Sequence, residues 1–157
     1  MFLLRRLEPW HVNLGKRLTK SPKLYVRDSG LLHALLGLPD EETLLSHPAV
    51  GASWEGCVLE NLISAAGPHA SAHFYRTSAG AEIDLLLRWP DGECWAIEVK
   101  RSLSPKVERG FYVACDDLKP SRQLVVYPGK DSFALGARTE AVSLAALCRQ
   151  LALKAQP

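Results

Sequence analysis

Two alternating runs separated by a turn dominate the middle of the chain. From Ala81 to Trp89, Ile83, Leu85 and Leu87 fall on one face of an extended strand and Glu82, Asp84 and Leu86 on the other. From Cys94 to Lys100, Trp95, Ile97 and Val99 alternate in the same way with Ala96, Glu98 and Lys100. Between them lies Pro90-Asp91-Gly92. Proline pre-sets φ there and glycine is free to take a positive one, so the two runs predict a hairpin.

Helical spacing brackets this hairpin. Trp54, Val58, Leu62 and Ala65 recur at intervals of four, four and three, which predicts a helix from about Val50 to Ala66 closed by Gly67-Pro68. His73–Thr77 predicts a short aromatic strand. A helix is expected over 105–118, with Pro105 in its first turn. The apolar run Gln123–Tyr127 predicts a buried strand. A weaker strand near 139–143 leads into a last helix over Ser143–Leu153. Upstream, Asp28-Ser29-Gly30 precedes Leu31, Leu32, Leu35 and Leu36, spaced for a short amphipathic helix ending at Gly37 and Pro39. Residues 39–48 are expected to be loop, and residues 1–27 an irregular basic connector ahead of a single domain over 28–157. The order of helix, three strands, helix and strand defines an α/β sandwich on a mixed central sheet flanked by helices.

With the turn centred on Asp91, Asp84 faces Glu98 and Glu82 faces Lys100. Directly opposed side chains have Cβ atoms about 4.5–5.5 Å apart. Two carboxylates that close repel unless a cation lies between them. A divalent ion such as Mg²⁺ takes this kind of oxygen ligand and completes its shell with water and phosphate oxygens. Lys100, on the same face, is placed to orient an attacking water or to stabilise charge on a phosphate. On alternation alone, a charged face of this kind is more often solvated surface than a metal site.

Composition narrows the alternatives. The 157 residues are 47% hydrophobic and 23% charged, a balance that suits a folded domain with its own core. No apolar run reaches the roughly 18–20 residues that span a bilayer. The start, MFLLRRLEPW, has arginines after its apolar stretch and no cleavage pattern, so no signal peptide is expected. Cys57, Cys94, Cys115 and Cys148 form no CxxC pair and have no histidine in ligand spacing, which argues against zinc and disulfides and for a reducing, cytoplasmic setting. Residues 1–27 hold seven basic residues against Glu8 alone, so a local +6 is balanced by −4 elsewhere within the overall +2. Such a segment suits phosphate contacts or the flank of a partner domain. Trp54, Trp89 and Trp95 are candidate base-stacking platforms, with Trp89 beside the turn expected to be the most exposed. No histidine pair, GxSxG or GxxxxGK[ST] occurs, which leaves triads and a P-loop unsupported.

The stretch Phe74–Leu87, followed by Ala96-Ile97-Glu98-Val99-Lys100-Arg101-Ser102, resembles the D…ExK core of the PD-(D/E)xK nuclease superfamily. Taken with Lys16-Arg17, Ser21-Pro22-Lys23-Leu24-Tyr25, Asp28–Leu32 and Gly51–Glu55, it is similar to the domain of unknown function 4143, which usually follows an AAA+-type ATPase module. The resemblance covers about residues 8–130. It implies a restriction-endonuclease-like αβββαβ core and a Mg²⁺- or Mn²⁺-dependent, endodeoxyribonuclease-like phosphodiesterase acting on DNA. Asp84, Glu98 and Glu55 would be the metal carboxylates and Lys100 the catalytic lysine. Arg76 and Glu82 match positions of the narrower family without an assigned role. An ATPase partner, outside these residues, and a homodimer are the implied partners. The alternative is a catalytically silent module of the same fold that binds nucleic acid or a protein.

Overall fold

The computed structural model describes residues 3–11 and 21–156. In chain order the elements are β1 (Leu4–Pro9), β2 (Lys23–Val26), α1 (Ser29–Leu35), α2 (Glu41–Ser46), α3 (Val50–Ala66), β3 (Ser71–Arg76), β4 (Glu82–Arg88), β5 (Cys94–Val99), α4 (Arg109–Leu118), β6 (Arg122–Tyr127), β7 (Phe133–Ala134), β8 (Thr139–Ser143) and α5 (Leu144–Lys154). The strands among these residues form one mixed sheet in the order β2-β1-β3-β4-β5-β6-β8-β7. β4 runs antiparallel to both β3 and β5, whereas β1–β3, β5–β6 and β6–β8 are parallel.

Each face of the sheet has its own core, as a central sheet requires when helices cover both sides. Val58, Leu59 and Leu62 of α3 and Leu147 and Leu151 of α5 bury against Leu85, Leu87, Ile97, Leu124 and Val126. On the opposite face, Phe111, Ala114 and Cys115 of α4 cover Tyr75, Ile83, Leu86 and Ala96. Gly110 makes the second contact close: a Cβ there would lie 2.4 Å from the Gly80 carbonyl oxygen. The first turn of α4 therefore rests on the backbone of the 77–81 turn, where Gly80 has φ +87°.

The expected helix over residues 50–66, the hairpin in its register from Leu85–Ile97 to Arg88–Cys94, and the order α3-β3-β4-β5-α4-β6 are present, but the expected pairs Asp84–Glu98 and Glu82–Lys100 lie beyond the end of that ladder. Four further details differ. Part of the segment expected to be an irregular connector forms β1 and β2, and Leu7 is fully in the core; Lys16, Arg17 and Lys20 lie outside the described residues. The expected loop over 39–48 contains α2, whose N-cap Asp40 accepts from the Thr43 amide at 2.8 Å. Helix α4 starts at Arg109, four residues after Pro105. Trp89 is not the exposed tryptophan: it packs on Trp95 at 5.1 Å between ring centroids, and both are buried. Trp54 instead lines cavities on the surface.

Candidate active site at the splayed end of β4 and β5

The hairpin ladder pairs Leu85 with Ile97 and Leu87 with Trp95, the register centred on Asp91. It stops at Leu85, and beyond it the strands splay. The Val99 amide donates at 3.0 Å to the carboxylate Oδ2 of Asp84, a side chain taking the role of a backbone acceptor. The cause lies on the other edge of β4. Between the pairs His73–Leu86 and Tyr75–Ile83, β4 contributes one residue more than β3, a bulge. Ile83 consequently joins Leu86 in the α4-side core, not Leu85 and Leu87 as simple alternation predicts. The bulge re-aims Asp84 into an open cavity of about 320 Å³ lined by residues of β2, α3, β4, β5 and the start of α4.

All four residues expected at the site line this cavity: Glu55, Asp84, Glu98 and Lys100. They divide into two groups. On the sheet side, Glu98 is 8% exposed and reaches Lys100 Nζ through Oε1 at 3.0 Å, while its Oε2 is buried with no hydrogen-bond partner. Burial, and then the neighbouring Asp84 charge, push the Glu98 carboxyl up to about 8 despite Lys100. Asp84 is raised too, by burial and by Glu55, against the opposing pull of Lys23 and the Val99 amide. Burial works against the Lys100 charge, but Glu98 outweighs it and holds the ammonium above its usual range. Lys100 also lies 3.7 Å from the exposed Glu108, and its backbone is fixed at both ends. Its amide donates to Val126 at 2.9 Å, and its carbonyl accepts from Trp54 Nε1 at 3.1 Å. It does not pair with Glu82.

On the other side stands Lys23, which the sequence places in the basic leading segment and in the Ser21–Tyr25 stretch of the resemblance, without a role at the site. Its Nζ lies 3.2 Å from Glu55, 3.2 Å from Glu82 and 3.5 Å from Asp84, and 5.4 Å from the Phe74 ring centroid. Burial disfavours this ammonium, yet Glu55, Asp84 and Glu82 together raise its pKa. Two residues on, along the same face of β2, the Tyr25 hydroxyl donates to Glu55 at 2.5 Å. Glu82 is held from outside by Arg76 at 2.6 Å. The β1–β2 hairpin is pinned to α3 by Arg5 and Arg27, both paired with Glu60 at 2.6–2.9 Å. Gly56 lets the Tyr25 ring approach the helix, 3.2 Å from where a Cβ would stand. The signal that could have found Lys23 and Tyr25 was their i, i+2 spacing within Lys23-Leu24-Tyr25-Val26, a strand with Leu24 exposed.

With Lys23 among three of the carboxylates, no group of three or more His, Cys, Asp or Glu among the described residues converges as a ready-made cation cage. Asp84 and the unpartnered Glu98 oxygen are the donor set of a hydrated divalent cation, which keeps several waters and takes only one or two carboxylates from the protein.

The sequence matches the family model of the domain of unknown function 4143 over residues 50–147, and the chain belongs to that family. Residues 1–42 match a second family, the domain of unknown function 8612. The uncharacterised proteins Rv2008c of Mycobacterium tuberculosis and Mb2031c of Mycobacterium bovis are each 42% identical over 140 residues. Those residues are 89% of this chain and 31% of the length of either relative, so the chain spans about a third of the proteins it matches. No solved structure matches it. Among the described residues no helix is long and apolar enough to cross a membrane.

Proposed function

We propose that the cavity is a metal-dependent phosphodiesterase centre of the PD-(D/E)xK kind, in a restriction-endonuclease-like core, acting on DNA. The observation that carries this reading is the buried, unpartnered oxygen of Glu98, held next to Asp84 and beside Lys100. Leaving a buried polar atom without a partner costs about 1–3 kcal/mol, more when charged. A cation offsets that cost and lets both carboxylates ionise. Asp84 and Glu98 would hold Mg²⁺ or Mn²⁺, which when bound supplies Lewis-acid polarisation of a phosphate oxygen.

The chain's own residues do the rest. Lys100, kept protonated by Glu98, is positioned to bind a non-bridging phosphate oxygen and to stabilise the charge that builds there. The Val99 amide fixes the orientation of Asp84. Arg101, Lys130 and Arg149 line adjoining cavities around Trp54 and form no salt bridge among the described residues. They are cations free to follow a nucleic-acid backbone. An attached AAA+-type ATPase module and a homodimer that cuts both strands belong to the same proposal, as does a cytoplasmic setting.

A second reading has one observation in its favour. Lys23 already sits within 3.5 Å of Glu55, Glu82 and Asp84, an ion cluster that a silent nucleic-acid- or protein-binding module would tolerate. The two readings separate on purified protein incubated with linear, supercoiled and branched DNA, with and without Mg²⁺. Metal-dependent cleavage lost in Asp84→Ala and Lys100→Ala supports the enzyme. Cleavage that survives both substitutions overturns it, and DNA binding indifferent to Mg²⁺ and to Asp84→Ala supports the silent module.

A further inference from the structure

Lys23 comes from the sheet-edge strand β2, yet its ammonium is the group around which Glu55 of α3 and Glu82 and Asp84 of β4 gather. None of the three oxygens is more than 3.5 Å from it. Its position is over-determined. Tyr25 on the same strand is bonded to Glu55, and the two arginines of the hairpin clamp Glu60 one turn along α3. The neighbouring carboxylate Glu98 has an oxygen that nothing satisfies. At one end of the cavity three carboxylates converge on a lysine; at the other, Lys100 meets one oxygen of Glu98 and leaves the second without a partner.

We propose that Lys23 is the resident cation of the Glu55–Glu82–Asp84 end, filling the space a second divalent ion would take, so that the centre binds a single ion on the Asp84–Glu98 side. This rests on the phosphodiesterase reading for that single ion, but not for the role of Lys23. Glu55 then serves the centre as the anchor of Lys23 and Tyr25. A lysine in this place has a consequence a metal would not: the charge at that end is covalently attached and present whatever the metal concentration. Occupancy of the centre follows a one-ion dependence.

The test counts ions without reference to activity. Mn²⁺ is titrated into the full chain and the free ion is followed by electron paramagnetic resonance. One Mn²⁺ is expected for the unaltered chain, the same for Lys23→Arg, and one more for Lys23→Met. Adding Glu55→Gln and Glu82→Gln to Lys23→Met should remove the extra ion. One ion of unchanged affinity in Lys23→Met overturns the role of Lys23 and leaves the phosphodiesterase centre intact. No ion in the unaltered chain but one in Lys23→Met supports Lys23 as the resident cation and overturns the Asp84–Glu98 site. No ion in either protein overturns both. Removing one partner of a buried ion cluster destabilises it, so melting temperature gives a second measurement. Mn²⁺ should raise that of Lys23→Met by several degrees more than that of the unaltered chain, and an equal rise counts against the proposal.

Discussion

The two ends of one cavity differ in how they settle their charge. At the hairpin end, Glu55, Glu82 and one oxygen of Asp84 share Lys23, with Arg76 and the Tyr25 hydroxyl outside them. At the sheet end, Glu98 and Asp84 face each other across splayed strands, and Glu98 keeps a buried oxygen without a partner. The first end resembles a structural ion cluster, stable as it stands. The second is held in a state the isolated chain does not satisfy, the usual mark of a group tuned for a ligand or for chemistry. Carboxylate content alone therefore does not locate a metal. What matters is which buried carboxylate oxygens are left without a partner: Lys100 satisfies one oxygen of Glu98 and not the other.

The largest effect should come from the sheet end. Asp84→Ala, Glu98→Ala and Lys100→Ala are each expected to lower metal-dependent DNA cleavage by about 10²–10³-fold or more, with an unchanged circular dichroism spectrum. Tyr25→Phe, at the other end, should leave most of it. Equal losses at both ends would erase the distinction.

Next comes the clamp that carries the hairpin. Glu60 is held well below the usual carboxylate range by Arg5 and Arg27, although burial opposes the shift. Glu60→Ala frees both arginines and should destabilise the fold by about 2 kcal/mol, between the values for exposed and buried pairs, as measured by urea unfolding. A loss below about 0.5 kcal/mol would mean that the clamp does not position β2.

The pH dependence sharpens the contrast further. Glu98 titrates near 8 in the folded chain against an ordinary 4.5, because of burial and then Asp84. The folded state thus binds this proton more tightly than the unfolded chain. Its contribution to stability is fully present below about pH 4.5 and is lost as pH rises through about 8. With a chelator present, the melting temperature should fall across that range, and Glu98→Gln should flatten the fall. A profile that is the same in the variant would contradict the assignment. The smallest effect concerns the approach to the site. Arg101→Ala, Lys130→Ala and Arg149→Ala should each weaken DNA binding across sequences and reduce the salt slope by about one. An unchanged slope in all three would place the nucleic acid elsewhere.

The sheet end was largely legible in the sequence, because a strand pair closed by Pro90-Asp91-Gly92 fixes both register and face by alternation alone. Alternation put Asp84, Glu98 and Lys100 on one face, and the resemblance to the D…ExK pattern made that face a candidate site. The bulge at Asp84 was not legible, since Ile83, Leu85 and Leu86 are all apolar and either face accepts them. The hairpin end was harder still. Lys23 and Glu55 are 32 residues apart, β2 is only four residues long, and Leu24 points to solvent. The i, i+2 spacing of Lys23 and Tyr25 is too short a period to announce a strand by itself; β1 pairs with it and α3 clamps it. Asp40 with Glu41 and Glu42 was, by contrast, a readable start for α2. Helix α4 begins at Arg109 because its N-cap Glu108 is extended, and Gly110 sets its first turn against the 77–81 turn.

The central claim is that a cation belongs between Asp84 and Glu98. Crystals soaked in Mn²⁺ and measured at a wavelength where manganese scatters anomalously test it most directly. A peak bonded to carboxylate oxygens of Asp84 and Glu98, with Lys23 Nζ still among Glu55, Glu82 and Asp84, is the result predicted here. An anomalous map empty at Asp84 and Glu98, in crystals where Glu98 Oε2 is satisfied by a protein donor instead, would contradict it.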